Sequence, residues 1–314
     1  MAFWNLERCK HLETSAELLA AVAADISLLT ELDLGMARSG QRHTTRDLAG
    51  RLNQGYAFGV EFVELGLGNE RERHRLAGEK NIAGMHGAAI LSPSPLTRPA
   101  LCRLETDGDW FDGTRGERRV GGRIALAATI PVGGVDVGFF SVHFESHGDP
   151  RQRGAQMRVL LAAVEAYAGK GPVIIGGDFN SGTATLAEAR DPKWRAAVVA
   201  EDPRRFVFPI PYEPLFDAAA AAGFDWHDCN RQDPTQRFEK DGPPASPGRL
   251  DWFFTRGLVA ERPVTVPAVA EDAVLISDHD LVAVTIRPER SHRLSGRAGQ
   301  NPVSARDLGG QESP

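Results

Sequence analysis

The sequence predicts an α/β (α+β) protein, on three observations. Short apolar runs of strand character alternate with segments of helical period. Residues 123–130 and 135–143 flank a Val-Gly-Gly turn and read as a β-hairpin. Neither an internal repeat nor a second hydrophobic core is visible, so the 314 residues are read as one folded unit over 1–290, although length alone allows two.

Taken in order, Thr14, Ser15, Ala16 and Glu17 have the pattern of a capping box ahead of Leu18, Leu19 and Val22, predicting a helix that ends near Asp25. Residues 26–31 follow as a short buried strand that delivers Glu31 at its end. A second helix is expected over 45–52, with strands over 56–65 and 88–92. After the hairpin, Met157, Leu160, Leu161, Val164 and Ala168 recur at helical spacing. Gly169 to Pro172 then stops that helix before the strand 173–175. From 190 to 248 the chain is rich in proline and holds one alanine-dense helix near 215–222, which predicts a long surface excursion. Strands are expected over 250–255 and 281–286. Residues 291–314 lack apolar periodicity, predicting a disordered tail.

Composition narrows the function. The 36 Lys and Arg against 42 Asp and Glu give a net charge of −6, which disfavours a protein that coats nucleic acid through a basic surface. Cys9, Cys102 and Cys229 are an odd, widely spaced set without metal spacing, as in a reducing, cytoplasmic setting. The start lacks the basic and apolar regions of a signal peptide. The most apolar stretch, 124–144, is broken by Thr129, Pro131, Gly133, Gly134 and Asp136, so no transmembrane segment is expected.

Five predicted strand ends carry polar groups able to bind metal or move protons: Asn5 with Glu7, Glu31, His143, Asp178 with Asn180, and Asp278 with His279. Singly, each has a structural reading as a surface acid, a turn former or a satisfied histidine. As an ordered set, Trp4-Asn5-Leu6-Glu7, Leu29-Thr30-Glu31, Ser141-Val142-His143, Gly176-Gly177-Asp178-Phe179-Asn180, Arg249-Leu250-Asp251-Trp252 and Ser277-Asp278-His279 resemble the motifs of the endonuclease/exonuclease/phosphatase superfamily.

That resemblance implies a four-layer α/β sandwich of two packed mixed sheets flanked by helices, with Mg²⁺- or Mn²⁺-dependent cleavage of a phosphate ester. Glu31 then resembles the main metal carboxylate, with Asn5 beside it, Glu7 nearby and Asp278 completing the metal environment. Asp178 and Asn180 resemble the pair that orients the attacking water, and Asp251 the carboxylate that buttresses His279. Whether Asp178 or His279 takes the proton from water stays open. A histidine at 143 places the chain nearer deoxyribonuclease I-like enzymes and neutral sphingomyelinases than apurinic endonucleases, and His143 is the expected acid for the leaving oxygen. Glu64 resembles the acidic partner of that histidine, with Glu61 a competitor.

Arg38, Ser39, Gly40, His43, Asn81, His86, Arg123, Arg151, Arg153 and Gln156 are further candidates for contacting phosphate or leaving group. The expected activity is hydrolysis of a phosphodiester by in-line attack of activated water with histidine acid/base catalysis. The candidate substrates are nucleic acid, read by Trp110, Phe111, Tyr212, Trp226 and Trp252, a phospholipid head group, approached by the apolar run 206–210, or a small phosphorylated metabolite. A non-catalytic binding module on the same fold is the competing class, and intact Glu31, Asp178, Asn180, Asp251 and His279 argue against it. No protein partner is inferable.

Overall fold

The computed structural model describes residues 1–105, 109–237, 247–271 and 273–289; the tail expected over 291–314 lies outside the described residues. Twelve strands are described: β1 (Ala2–Asn5), β2 (Ser27–Leu34), β3 (Gly55–Glu64), β4 (Met85–Ser92), β5 (Thr97–Arg103), β6 (Arg119–Gly121), β7 (Ile124–Val132), β8 (Val135–His143), β9 (Val173–Asp178), β10 (Asp251–Arg256), β11 (Leu258–Val266) and β12 (Leu281–Pro288). Seven helices join them: α1 (Leu12–Val22), α2 (Thr44–Leu52), α3 (Glu70–Arg75), α4 (Pro150–Ala168), α5 (Leu186–Arg190), α6 (Pro192–Glu201) and α7 (Pro214–Ala221).

The strands form two mixed sheets, in the orders β11-β12-β1-β2-β4-β3-β6 and β10-β9-β8-β7-β5. Only β1/β2 and β8/β9 run parallel. Side chains alternate faces along a strand, and the first sheet uses both. Phe3, Leu28, Ala88 and Ile90 face the second sheet, whereas Trp4, Leu29, Ala89 and Leu91 face α1 and α2 through Leu12, Leu19 and Leu48. On the far side of the second sheet, Met157, Leu160 and Val164 of α4 and Leu215, Phe216 and Ala219 of α7 close the core. The result is the expected four-layer α/β sandwich. Each fully buried phenylalanine between the layers contributes roughly 1.5–3 kcal/mol.

Several local expectations change. The capping box at Thr14 does not form, because α1 already begins at Leu12 and no side chain caps it. The hairpin forms on Gly133 and Gly134, with φ of +57° and +81°, the two left-handed residues that a two-residue turn needs to follow strand twist. The segment after 190 is no loose excursion. It contains α6 and α7, and Arg153 of α4 anchors it from inside: this guanidinium, 1% exposed, bonds Glu213 at 3.0 and 2.6 Å and the carbonyls of Gly148 and Ala184. Phe206 is buried and its neighbours to 210 are at least half covered, so the apolar edge proposed for a lipid surface is part of the packing.

Candidate active site

Four strand ends meet at one edge of the two sheets. Asn5 closes β1, His143 closes β8, Asp178 closes β9 and Asp251 opens β10. His143 pairs with Asp178 across the parallel ladder, and Asp251 pairs with Asp178 across the antiparallel one. Neighbouring strands lie about 4.8 Å apart, so sheet pairing alone sets the three groups side by side. The close approach depends on Gly177, where a Cβ would stand 2.1 Å from Val142 Cγ2 and 2.6 Å from its carbonyl oxygen. Just beyond, Asn180 adopts a φ of +47°, which asparagine tolerates, and its backbone N–H donates to Asp178 Oδ1 at 2.9 Å. Its Nδ2 donates to the Phe144 carbonyl at 3.0 Å, which fixes the amide.

Glu31 arrives by another route. β2 runs on to Leu34, and Glu31 sits inside it at a bulge, with a φ of +57°, where the register with β4 shifts between Leu29 and Leu32. The bulge re-aims the carboxylate toward the other strand ends. Asn5 Nδ2 donates to Glu31 Oε1 at 3.3 Å and to Asp178 Oδ2 at 3.1 Å, while its Oδ1 accepts from the Glu7 N–H. Ser277 Oγ donates to the Asn5 carbonyl at 2.6 Å and accepts from the His279 N–H, so the loop before β12 is tied to β1.

Asp178 Oδ2 is the centre of the group, with His143 Nε2 at 3.5 Å and His279 Nε2 at 3.6 Å. His279 Nδ1 donates to Asp251 Oδ2 at 2.8 Å. Burial opposes its charge, but Asp251 and Asp178 hold the imidazole well above its usual range, as a cation. His143 is the opposite. Burial and the Arg123 guanidinium hold it well below that range, and its Nδ1 has no hydrogen-bond partner. Burial pushes the Asp178 carboxyl up to about 6. Asp278 rises to about 7, by burial first and then by repulsion from Glu7 and Glu31. Glu31 stays well below the usual carboxylate range despite burial, because the Arg8 guanidinium and the His279 cation lie near it.

Asp178, Asp251 and His279 place one ligand-capable atom each within 4.8 Å of one another. Within this group Asp251 and His279 are joined by their 2.8 Å hydrogen bond. Glu31 is held ionised, with Asn5 next to it. Glu7 binds Lys10 through Oε1 and the Asp278 N–H through Oε2, which places it beside that group.

Glu64 is not brought to His143. Its Oε1 lies 2.7 Å from Arg119 Nε and 3.4 Å from Arg38 Nη1, inside a buried charge network. Glu61 is likewise taken, by Arg123 at 2.6 Å. Arg38 is buried on Asp33, Arg153 on Glu213, Gln156 bonds Glu105 and the Glu145 N–H, Asn81 and His43 hold neighbouring backbone, Ser39 bonds the Met36 carbonyl, and Arg151 is exposed. Of that set, only His86 and Arg123 line the cleft over the site.

The cleft, of about 520 Å³, also takes in Arg8, Arg119 and Trp110, which the motifs did not single out. Arg119 stacks 4.6 Å from the Trp110 ring centre. Trp110 is among the candidate aromatics, whereas Arg8 and Arg119 fall in no motif, so the sequence offers little sign of those two. The other proposed base-stacking aromatics are not in this wall: Trp226 and Trp252 are buried, and Tyr212 and Phe111 lie outside the cleft lining. No helix among the described residues is long and apolar enough to cross a membrane.

The sequence model of the Endonuclease/Exonuclease/phosphatase family matches residues 2–279. Among solved structures, an endonuclease/exonuclease/phosphatase from Beutenbergia cavernae is similar at 18% identity and a TM-score of 0.62, over 91% of this chain and 70% of that one. A humanized TDP2 of D. rerio (15%, 0.54, 91% and 97%) and a mannosyl-6-phosphatase of Bacteroides thetaiotaomicron (16%, 0.55, 91% and 98%) share the fold. No curated protein matches the chain. With the family match spanning both sheets and every strand end of the site, the chain belongs to the endonuclease/exonuclease/phosphatase family, whose members are generally phosphoester hydrolases.

Proposed function

We propose that the chain, as a folded unit over residues 1–290, is a divalent-metal-dependent phosphoesterase that hydrolyses a phosphodiester of a small phosphorylated metabolite by in-line attack of water. The observation that carries this reading is the meeting of Glu31, His143, Asp178 and His279 in one polar cleft of about 520 Å³, a volume suited to a small molecule, with Asn5 buried behind Glu31 and Asp178. Of the five aromatics proposed to stack on bases only Trp110 lines the cleft, and the apolar run 206–210 is packed rather than exposed, which weighs against nucleic acid and lipid head groups. Three free cysteines, two of them buried, fit a cytoplasmic setting.

The donor set fits Mg²⁺, with Mn²⁺ as a substitute: Glu31 offers an ionised carboxylate, and the carboxylates of Asp178 and Asp278 line the same cleft. Glu31 and Asn5 would hold the cation, with Asp278 and Glu7 around it. Bound there, it supplies positive charge to a phosphoryl oxygen. Asp178, pushed up to about 6, can take the proton of the attacking water, which Asn180 helps orient. His279, a cation fixed by Asp251, donates Nε2–H to the oxygen on which charge builds. His143 contributes a neutral Nε2–H donor, since that tautomer leaves only a lone pair unmatched at Nδ1. In this reading His143 binds phosphate and does not serve as the acid first expected of it.

The test is release of p-nitrophenolate from bis-p-nitrophenyl phosphate and from p-nitrophenyl phosphate, each with Mg²⁺ and with chelator. The monoester arm is warranted by the neighbour named a phosphatase. Plasmid DNA and sphingomyelin vesicles serve as competing substrates. Mg²⁺-dependent turnover that Glu31→Gln lowers at least ~10²-fold without loss of folding is the expected outcome. Full activity in that variant, or turnover indifferent to chelator, overturns it.

A further inference from the structure

Among the cleft-lining side chains that the proposed chemistry does not use is His86. His86 on β4 faces Asp33 across the β2/β4 ladder, and its Nδ1 lies 2.8 Å from Asp33 Oδ1. Asp33 is clamped on both oxygens by Arg38, Nη2 to Oδ1 and Nε to Oδ2, each at 2.8 Å. Arg38 Nη2, 3.2 Å from His86 Nδ1, is already a donor to that carboxylate. A carboxylate gripped by a guanidinium only accepts, so the 2.8 Å contact requires the proton on Nδ1. Burial, with the Arg38 and Arg119 guanidiniums nearby, lowers the ring to about 4 and keeps it neutral, so Nε2 carries a lone pair.

That lone pair has no hydrogen-bond partner among the described residues, and it belongs to a ring 2% exposed that lines the cleft. Phosphate ester oxygens are acceptors too and cannot satisfy it. A substrate that fills the cleft without offering a donor would strand Nε2 away from water, and a site built to accept from a hydroxyl discriminates strongly against an analogue lacking one.

We propose that His86 is a specificity residue whose Nε2 accepts a hydrogen bond from a substrate hydroxyl, so that the preferred substrate is a phosphate ester of a polyol or sugar. The proposal rests on the phosphoesterase reading above. Asp33 and Arg38 are the positioning residues, since they fix the tautomer and the ring without reaching substrate.

The experiment compares two diesters that share a p-nitrophenyl leaving group, one carrying a glyceryl and the other a propyl group, with Mg²⁺ throughout. Wild type is expected to favour the glyceryl ester in kcat/KM by about 10- to 100-fold. His86→Asn retains a donor for Asp33 at the Nδ1 position and removes the cleft acceptor; its preference should fall to within about twofold of unity. His86→Gln can set an amide oxygen where Nε2 stood and should keep part of the preference. Melting temperatures of both variants report whether the fold persists. Equal rates of wild type on the two esters overturn the proposal. So does an equal loss on both in a folded His86→Asn, which would mark His86 as structural or as a cation ligand, the latter shown by weakened Mn²⁺ binding in calorimetry. Turnover of neither ester by any form removes the phosphoesterase reading, and this proposal with it.

Discussion

His279 and His143 flank the same carboxylate oxygen at nearly equal distances, 3.6 and 3.5 Å, and carry opposite charge states. Each belongs to a different part of the sandwich. His279 stands on the loop before β12 with Asp251 at its back, whereas His143 ends β8 with nothing on Nδ1 and Arg123 nearby. Identical imidazoles thus become a fixed cation and a neutral donor through the group on the ring's far side. The lesson is that a histidine's part in catalysis is written behind it as much as in front.

Removing the cation should have the largest effect. His279→Ala is expected to lose about 10³-fold in kcat/KM on alkyl and p-nitrophenyl diesters alike, because charge on the phosphoryl group develops with either leaving group. Retention of most activity would erase the distinction between the two histidines. Asp251→Asn sharpens it: His279 should then resemble His143, its NMR titration midpoint falling and activity dropping ~10²-fold. An unmoved midpoint would show that Asp178 alone sustains the charge.

A smaller loss, about tenfold, is expected for His143→Ala, equal on the two leaving groups, since a neutral imidazole holds no spare proton to give. Sparing of the p-nitrophenyl ester alone would instead make His143 the general acid.

The smallest effect is on stability in chelator. The raised His279 contributes stability that is complete below its unfolded pKa of 6.5 and is lost as pH rises through its folded value. For the lowered His143 the contribution is complete above 6.5 and is lost as pH falls. The melting-temperature gap between wild type and His279→Gln should therefore shrink on the alkaline side, and the gap to His143→Gln on the acid side. Parallel curves would contradict both assignments.

Much of the fold was legible because strands buried on two faces leave apolar runs, and Gly133 and Gly134 or Gly169 leave explicit stops. β5 and β11 were not, being edge strands with Pro99 and Pro263 and left-handed residues at Arg98 and Arg262 that disrupt the period. Among the proposed site residues, Asn5, His143 and Asp178 were readable as strand ends, whereas Asp251 came only from the family resemblance. Glu31 was placed correctly but for the wrong local reason, since a bulge on a left-handed glutamate has no sequence mark. The same bulge conceals Asp33, whose pairing with His86 follows only from the shifted register. Glu64 was misassigned because a short acidic match does not reveal that Arg38 and Arg119 already occupy it.

Gly87 has a bulge on either side, Thr30 and Glu31 on β2 and Glu61 on β3, and a Cβ at 87 would stand 1.9 Å from the Gly59 carbonyl oxygen. The acid at each bulge is put to use: Glu31 lines the cleft and accepts from Asn5, and Glu61 is the partner of Arg123, itself in the cleft lining. A bulge is a one-residue insertion, and strand geometry is unforgiving of parity. For anyone re-engineering this scaffold, the placement of Glu31 is therefore encoded by chain length as well as by residue type. Excising Thr30 would let β2 pair with β4 without interruption and would rotate Glu31 off the cleft.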